Sequence, residues 1–128
     1  MKEELIKLET AKLAKEKGFD LETVTYYHPS YGLCPEHDNS MRNYNGSEWA
    51  KGYISAPTQA LLQKWLREVH GIYTLAVPYL YANTEDVSHS YSVLEVKGSW
   101  NPKHKGMYKT YELALEQGLL EALKLIKT

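Results

Sequence analysis

The sequence predicts an α+β fold. An antiparallel sheet of about four strands should carry two or three helices on one face, in the order α-β-β-α-β-β-α. Three observations predict it. Residues 55–71 carry a helix start, an apolar stripe and a stop. Residues 72–81 and 91–97 read as two strands joined by the polar turn from Asn83 to Ser88. The connections in the second half are too short for parallel crossovers. With 128 residues, 43% hydrophobic and 24% charged, residues 1–128 fit a single domain with one core.

Taken in order, residues 2–17 form the first expected helix. Leu5, Ile6, Leu8 and Leu13 share a face, Lys and Glu fill the rest, and Gly18 ends it. Residues 23–28 are β-branched and aromatic, hence a strand with Val24 and Tyr26 on one side and Thr25 and Tyr27 on the other. Residues 29–48 are irregular, rich in Pro, Gly and Asn, and a connection of that length in a small domain suggests a binding loop or a partly disordered segment. Trp49 to Ile54 is expected to be the second strand.

The central helix follows. Ser55 is the expected N-cap, with Pro57 in the first turn where its missing N–H is harmless. Leu61, Leu62, Trp65, Leu66 and Val69 fall on one stripe at about 100° per residue, so Trp65 is assigned to the core rather than to a ligand. Gly71 supplies a left-handed stop.

In the next strand Tyr73, Leu75, Val77 and Tyr79 alternate on one face, and Pro78 marks an edge or bulge because it cannot donate to a ladder. The partner strand loses alternation between Val93 and Leu94, which suggests a bulge there. Gly98 to Gly106 is a basic loop. Thr110 caps a last helix over 111–126, with Tyr111, Leu115, Gly118, Leu119, Ala122 and Ile126 as its stripe. Gly118 on that stripe suggests a close approach to another element. Leu113 and Leu120 form a second line, a candidate homodimer seam.

Net charge is −1, so no global pull towards nucleic acid or anionic membrane is expected. A lone cysteine, Cys34, excludes an internal disulfide, and the N-terminus lacks an apolar signal core. A cytoplasmic, non-membrane protein is therefore expected. Eleven Tyr against one Phe suit half-buried sheet faces or wet binding surfaces.

Candidate chemistry is sparse. His28, Cys34 and His37, with Asp38, are the best metal-ligand cluster, but zinc wants two chelating pairs and the second is absent; the plain alternative is a polar loop. Cys34 with a histidine base would need a depressed thiol pKa. No phosphate-binding loop, dinucleotide fingerprint, hydrolase elbow or zinc-protease motif occurs, and the carboxylate pairs Glu3-Glu4 and Glu85-Asp86 look exposed. No cofactor is expected. Lys97, Trp100, Lys103, His104 and Lys105 form a basic-aromatic loop suited to holding phosphates and stacking bases.

Two segments carry a resemblance: I-S-A-P-T-Q-A-L-L-Q-K-W-L-R-E-V-H-G-I at 54–72, and Y-K-T-Y-E-L-A-L-E-Q-G-L at 108–119. Together they resemble a family of small uncharacterised proteins of gut Bacteroidales and their phages or prophages. The resemblance covers the second half of the chain well and residues 29–50 not at all. It implies a cytoplasmic, mobile-element origin, and brings no activity, cofactor or catalytic residue.

The expected function is a non-enzymatic binding or interaction module for a protein or small ligand. Its contact residues would be Trp49, Tyr53, Trp100, Lys103, His104 and Lys105. The alternatives are a nucleic-acid accessory protein using the 97–109 loop, and a metal-dependent enzyme centred on Cys34 and His37.

Overall fold

A computed structural model describes residues 3–34, 40–80, 87–96 and 105–127, with Trp49 described through its backbone alone. Among the described residues three helices, α1 (Leu8–Glu16), α2 (Gln59–His70) and α3 (Tyr111–Lys124), pack with two antiparallel sheets. The smaller sheet has the order β2-β1-β3, from β1 (Tyr26–His28), β2 (Gly32–Cys34) and β3 (Ile54–Ser55). The larger has the order β4-β5-β6, from β4 (Ile72–Leu80), β5 (Val87–Glu95) and β6 (Lys105–Tyr108). The α+β class is as expected, whereas a single sheet of about four strands is replaced by two of three.

The differences have local causes. Part of the expected irregular stretch folds back as β2, with Gly32 at φ 72 as its first residue, just after the turn. Residues 48–50 make a 3-10 turn, which leaves only Ile54 of the expected second strand, joined in β3 by Ser55. The first helix begins late because residues 4–6 are drawn into backbone pairing with 57–59. Ile6 N–H donates to the Pro57 carbonyl at 3.1 Å, and Gln59 N–H to that of Glu4 at 2.8 Å.

Ser55 is not the cap of α2. It sits in β3, exchanging bonds with Asn45: its N–H donates to Asn45 Oδ1 (2.9 Å) and its Oγ accepts from Asn45 N–H (3.3 Å). The cap is Thr58, whose Oγ1 accepts from Leu61 N–H at 3.1 Å. Gly71, at φ 65, ends α2 as expected. Trp65 is 3% exposed, edge-on to Phe19 at 5.3 Å, while Val69 is exposed and leaves the stripe.

No bulge separates Val93 from Leu94. The β4–β5 register is continuous from Ile72↔Glu95 to Leu80↔Val87, and the irregularity lies between β5 and β6, at His89/Tyr91. In β4 the core takes Ile72 and Thr74, with Ala76 half-buried, while Tyr73, Leu75 and Tyr79 are exposed.

The last helix is the hub, touching α1, α2 and all three strands of the larger sheet. Leu115, Leu119, Ala122, Leu123 and Ile126 join Ile6, Phe19, Leu62, Trp65, Leu66 and Ile72 in one core. Leu113 is 40% exposed but Leu120 only 9%, so the two do not make a continuous outer seam. Tyr111, expected on the stripe, is exposed. Gly118 does allow a close approach: a Cβ there would lie 2.6 Å from Thr74 Oγ1 and 3.1 Å from Tyr91 Cβ.

One polar contact joins all three helices. Glu116, 8% exposed, accepts from Lys7 N–H (3.1 Å) and the Thr10 hydroxyl through Oε2, and from Gln59 Nε2 (3.1 Å) through Oε1. The Lys7 side chain makes no cap bond, so Glu116 caps α1 across space. No helix among the described residues is long and apolar enough to cross a membrane.

Three substitutions probe this packing. Glu116→Gln turns one acceptor into a donor facing donors, and should cost about 2–3 kcal/mol in denaturant unfolding. Gly118→Ala should destabilise by about 1–3 kcal/mol through overpacking, despite the better helix propensity of Ala, and Thr74→Ala should restore part of the loss in the double variant.

Candidate functional site

The site grows from the two-residue alternation of β1. Tyr27 turns inward: its ring packs on the core and its hydroxyl donates to the Ile6 carbonyl at 2.7 Å. Tyr26 and His28 therefore share the opposite, outer face. Register places Cys34 opposite Tyr26 and Gly32 opposite His28.

Three loop tyrosines complete a row of rings. Tyr44 and Tyr53 lie 4.5 Å and 4.9 Å from Tyr26, the latter within 2° of parallel. His28 lies 5.0 Å from Tyr53 and 4.6 Å from Tyr31. The row runs from buried Tyr44 to Tyr31, which is 81% exposed. Each ring pair contributes about 0.5–1.5 kcal/mol beyond its buried area.

Loop hydrogen bonds set the ring positions. Asn45 Nδ2 donates to the Phe19 carbonyl at 3.0 Å, and Thr23 and Arg42 exchange backbone bonds at 2.9 Å. These bonds pin the segment that carries Tyr44. Lys15 Nζ donates to the Tyr53 carbonyl at 2.8 Å, tying that loop to α1.

The spacing limits the chemistry. A flat ligand between two rings needs roughly 7 Å between them, a carbon contact of about 3.5 Å on each side. Neighbours along the row sit at 4.5–5.0 Å, so the row admits no inserted ligand. The rings form a solid platform, and its open end is Tyr31.

One ring nitrogen of His28 is engaged by its own turn. Its Nδ1 accepts from Ser30 N–H (3.0 Å) and Tyr31 N–H (3.3 Å). That nitrogen's lone pair is directed at the backbone of its own turn. Cys34 is a half-buried free thiol whose Sγ is 3.6 Å from the Gly32 carbonyl. Among the described residues no group of three His, Cys, Asp or Glu could hold a metal ion. His37 and Asp38 lie outside the described residues.

Of the expected contact residues, Tyr53 stands in the middle of the row. Trp49 lies on the 3-10 turn, described by backbone alone. Lys105 is exposed and belongs to β6 rather than to a loop. Lys97, Trp100, Lys103 and His104 lie outside the described residues, as does any meeting of their loop with residues 29–50. Tyr26, Tyr31 and Tyr44 were not singled out by the sequence. Only Tyr26 had a signal, its alternation with His28; the others join through loop geometry.

Burial holds the Tyr26 hydroxyl above its ordinary 10.0, with the hydrogen bond and charge of Cys34 adding to it and smaller effects from Tyr53 and Tyr44. Tyr27 is raised by burial first and then by the charge of Glu116.

Compared with known proteins, the chain matches no family model, no curated protein and no solved structure at a significant level.

A folded-state value above 10.0 means that the contribution of these tyrosines to stability is complete below that pH and lost as pH rises through it. The melting temperature should therefore fall above pH 10.0. Cys34→Ser removes the ionisable thiol and should bring Tyr26 back towards 10.0. Near-ultraviolet titration, differenced against Tyr26→Phe, reads that shift.

Proposed function

We propose that this chain is a non-enzymatic binding module, of bacterial or phage origin, whose contact surface is the ring row ending at Tyr31. Tyr31 itself carries the reading: a large ring, 81% exposed, lies tilted by 35° against His28, whose own orientation is held by two backbone donors. An exposed aromatic fixed in place loses little entropy on contact, which suits recognition by stacking. The partner is a protein or small ligand presenting a flat ring. The origin rests on the two sequence segments that resemble Bacteroidales and phage proteins. A reducing cytoplasmic setting agrees with the single unbridged Cys34.

Chemical-shift mapping with two probes tests the proposal: an uncharged tryptophan-containing peptide and a short oligothymidylate. Resonances of Tyr31, His28 and Tyr53 should move with the peptide, and Tyr31→Ala should weaken that binding roughly two- to tenfold with the fold intact. Silence at Tyr31 with both probes would overturn the reading. Salt-sensitive shifts at Lys105 with the oligonucleotide alone would replace it with the nucleic-acid accessory role.

A further inference from the structure

The geometry points to β4 as a guarded edge: Gln63 and Pro78 keep this strand from pairing with the same strand of a second copy of this chain. Among the described residues β4 is the outer strand of its sheet, with β5 on one side only. Its sequence, Ile72 to Leu80, is nine residues without a charge. Open edges of that kind template pairing, and like strands meet here without charge repulsion.

Which backbone groups face outward follows from one bond. Val96 N–H donates to the Gly71 carbonyl at 3.0 Å, in line with the register Ile72↔Glu95. The Gly71/Val96 pair is thus a hydrogen-bonded one, and antiparallel pairs alternate. Tyr73, Leu75, Val77 and Tyr79 spend their backbone groups on β5. Ile72, Thr74, Ala76, Pro78 and Leu80 aim theirs at the free edge.

Two of those outward positions are disarmed. Gln63 of α2 donates its side-chain amide to the Thr74 carbonyl at 2.7 Å, occupying the acceptor that an added strand would use. Pro78 has no N–H, and its place in the register puts that missing donor on the open side, where the bond to β5 is not affected. A second β4 would find a taken acceptor near one end and no donor near the other. Proline placed one residue earlier or later would instead break a bond to β5. The role assigned is therefore specific to the even-numbered positions.

The test uses the full chain. Pro78→Thr restores the outward N–H, and Gln63→Ala frees the Thr74 carbonyl. Light scattering over a concentration series should show association of the double variant at least about tenfold stronger than that of the parent chain. Amide exchange at Ala76 and Leu80 should slow as the concentration rises. Adding Ala76→Pro, which removes another outward donor, should abolish the association and restore fast exchange at Leu80. The inference is overturned if the folded double variant keeps the parent's mass throughout, or if its association survives Ala76→Pro. It is also overturned if the parent chain already protects Ala76 and Leu80 by associating. Should the double variant not fold, Pro78→Thr alone, at an exposed position, decides by the same readings.

Discussion

A carboxylate taken out of water must be met donor by donor, and Glu116 is met from three directions. The N–H of Lys7, the hydroxyl of Thr10 and the amide of Gln59 all point at it. Leaving any of these groups unmatched in a nearly closed interior would cost more than a surface bond returns. The carboxylate therefore sets how the starts of α1 and α2 meet the middle of α3. Its negative charge is also favourable at the N-terminal end of α1, where unpaired N–H groups gather. Gln59 adds a second tie, from its amide to the Glu112 carbonyl at 2.9 Å.

The smaller sheet hangs from the same junction. Ile6 lies one residue before Lys7, and its carbonyl takes the Tyr27 hydroxyl while its N–H reaches Pro57. Tyr27 thus holds the inner face of β1 against the helices. Its neighbours Tyr26 and His28 are presented outward as a consequence. The aromatic platform is the far side of a strand whose near side is locked in the core. That arrangement gives a stacking surface rigidity without a deep pocket, because the rings fill their own gaps.

The larger sheet follows a different rule. α3 covers one of its faces, and Gly118 lets the helix backbone approach Thr74 and Tyr91 closely. β4 meets the helices through Ile72 and Thr74 and turns Tyr73, Leu75 and Tyr79 outward. Its apolar alternation is real, but the more hydrophobic row is the outer one. The inner row includes small residues because α3 sits so near.

Periodicity and punctuation in the sequence were enough to determine the α+β class, α2 with its Gly71 stop, the Thr110 cap of α3, the inward turn of Trp65 and the opposed faces of Tyr26 and Tyr27. These are local: they depend on residue spacing, on the φ that glycine permits and on the reach of one hydroxyl. Tertiary structure alone decided the rest. Residues 4–6 left the first helix for a backbone partner more than fifty positions away. Ser55 gave up a cap for Asn45, and Glu116, spaced like a surface residue, became the buried junction. Tyr31, Tyr44 and Tyr53 came together from three loops. Contacts between distant segments leave no period in the chain. They appear only when burial forces each polar group to find a partner and each ring to find a neighbour.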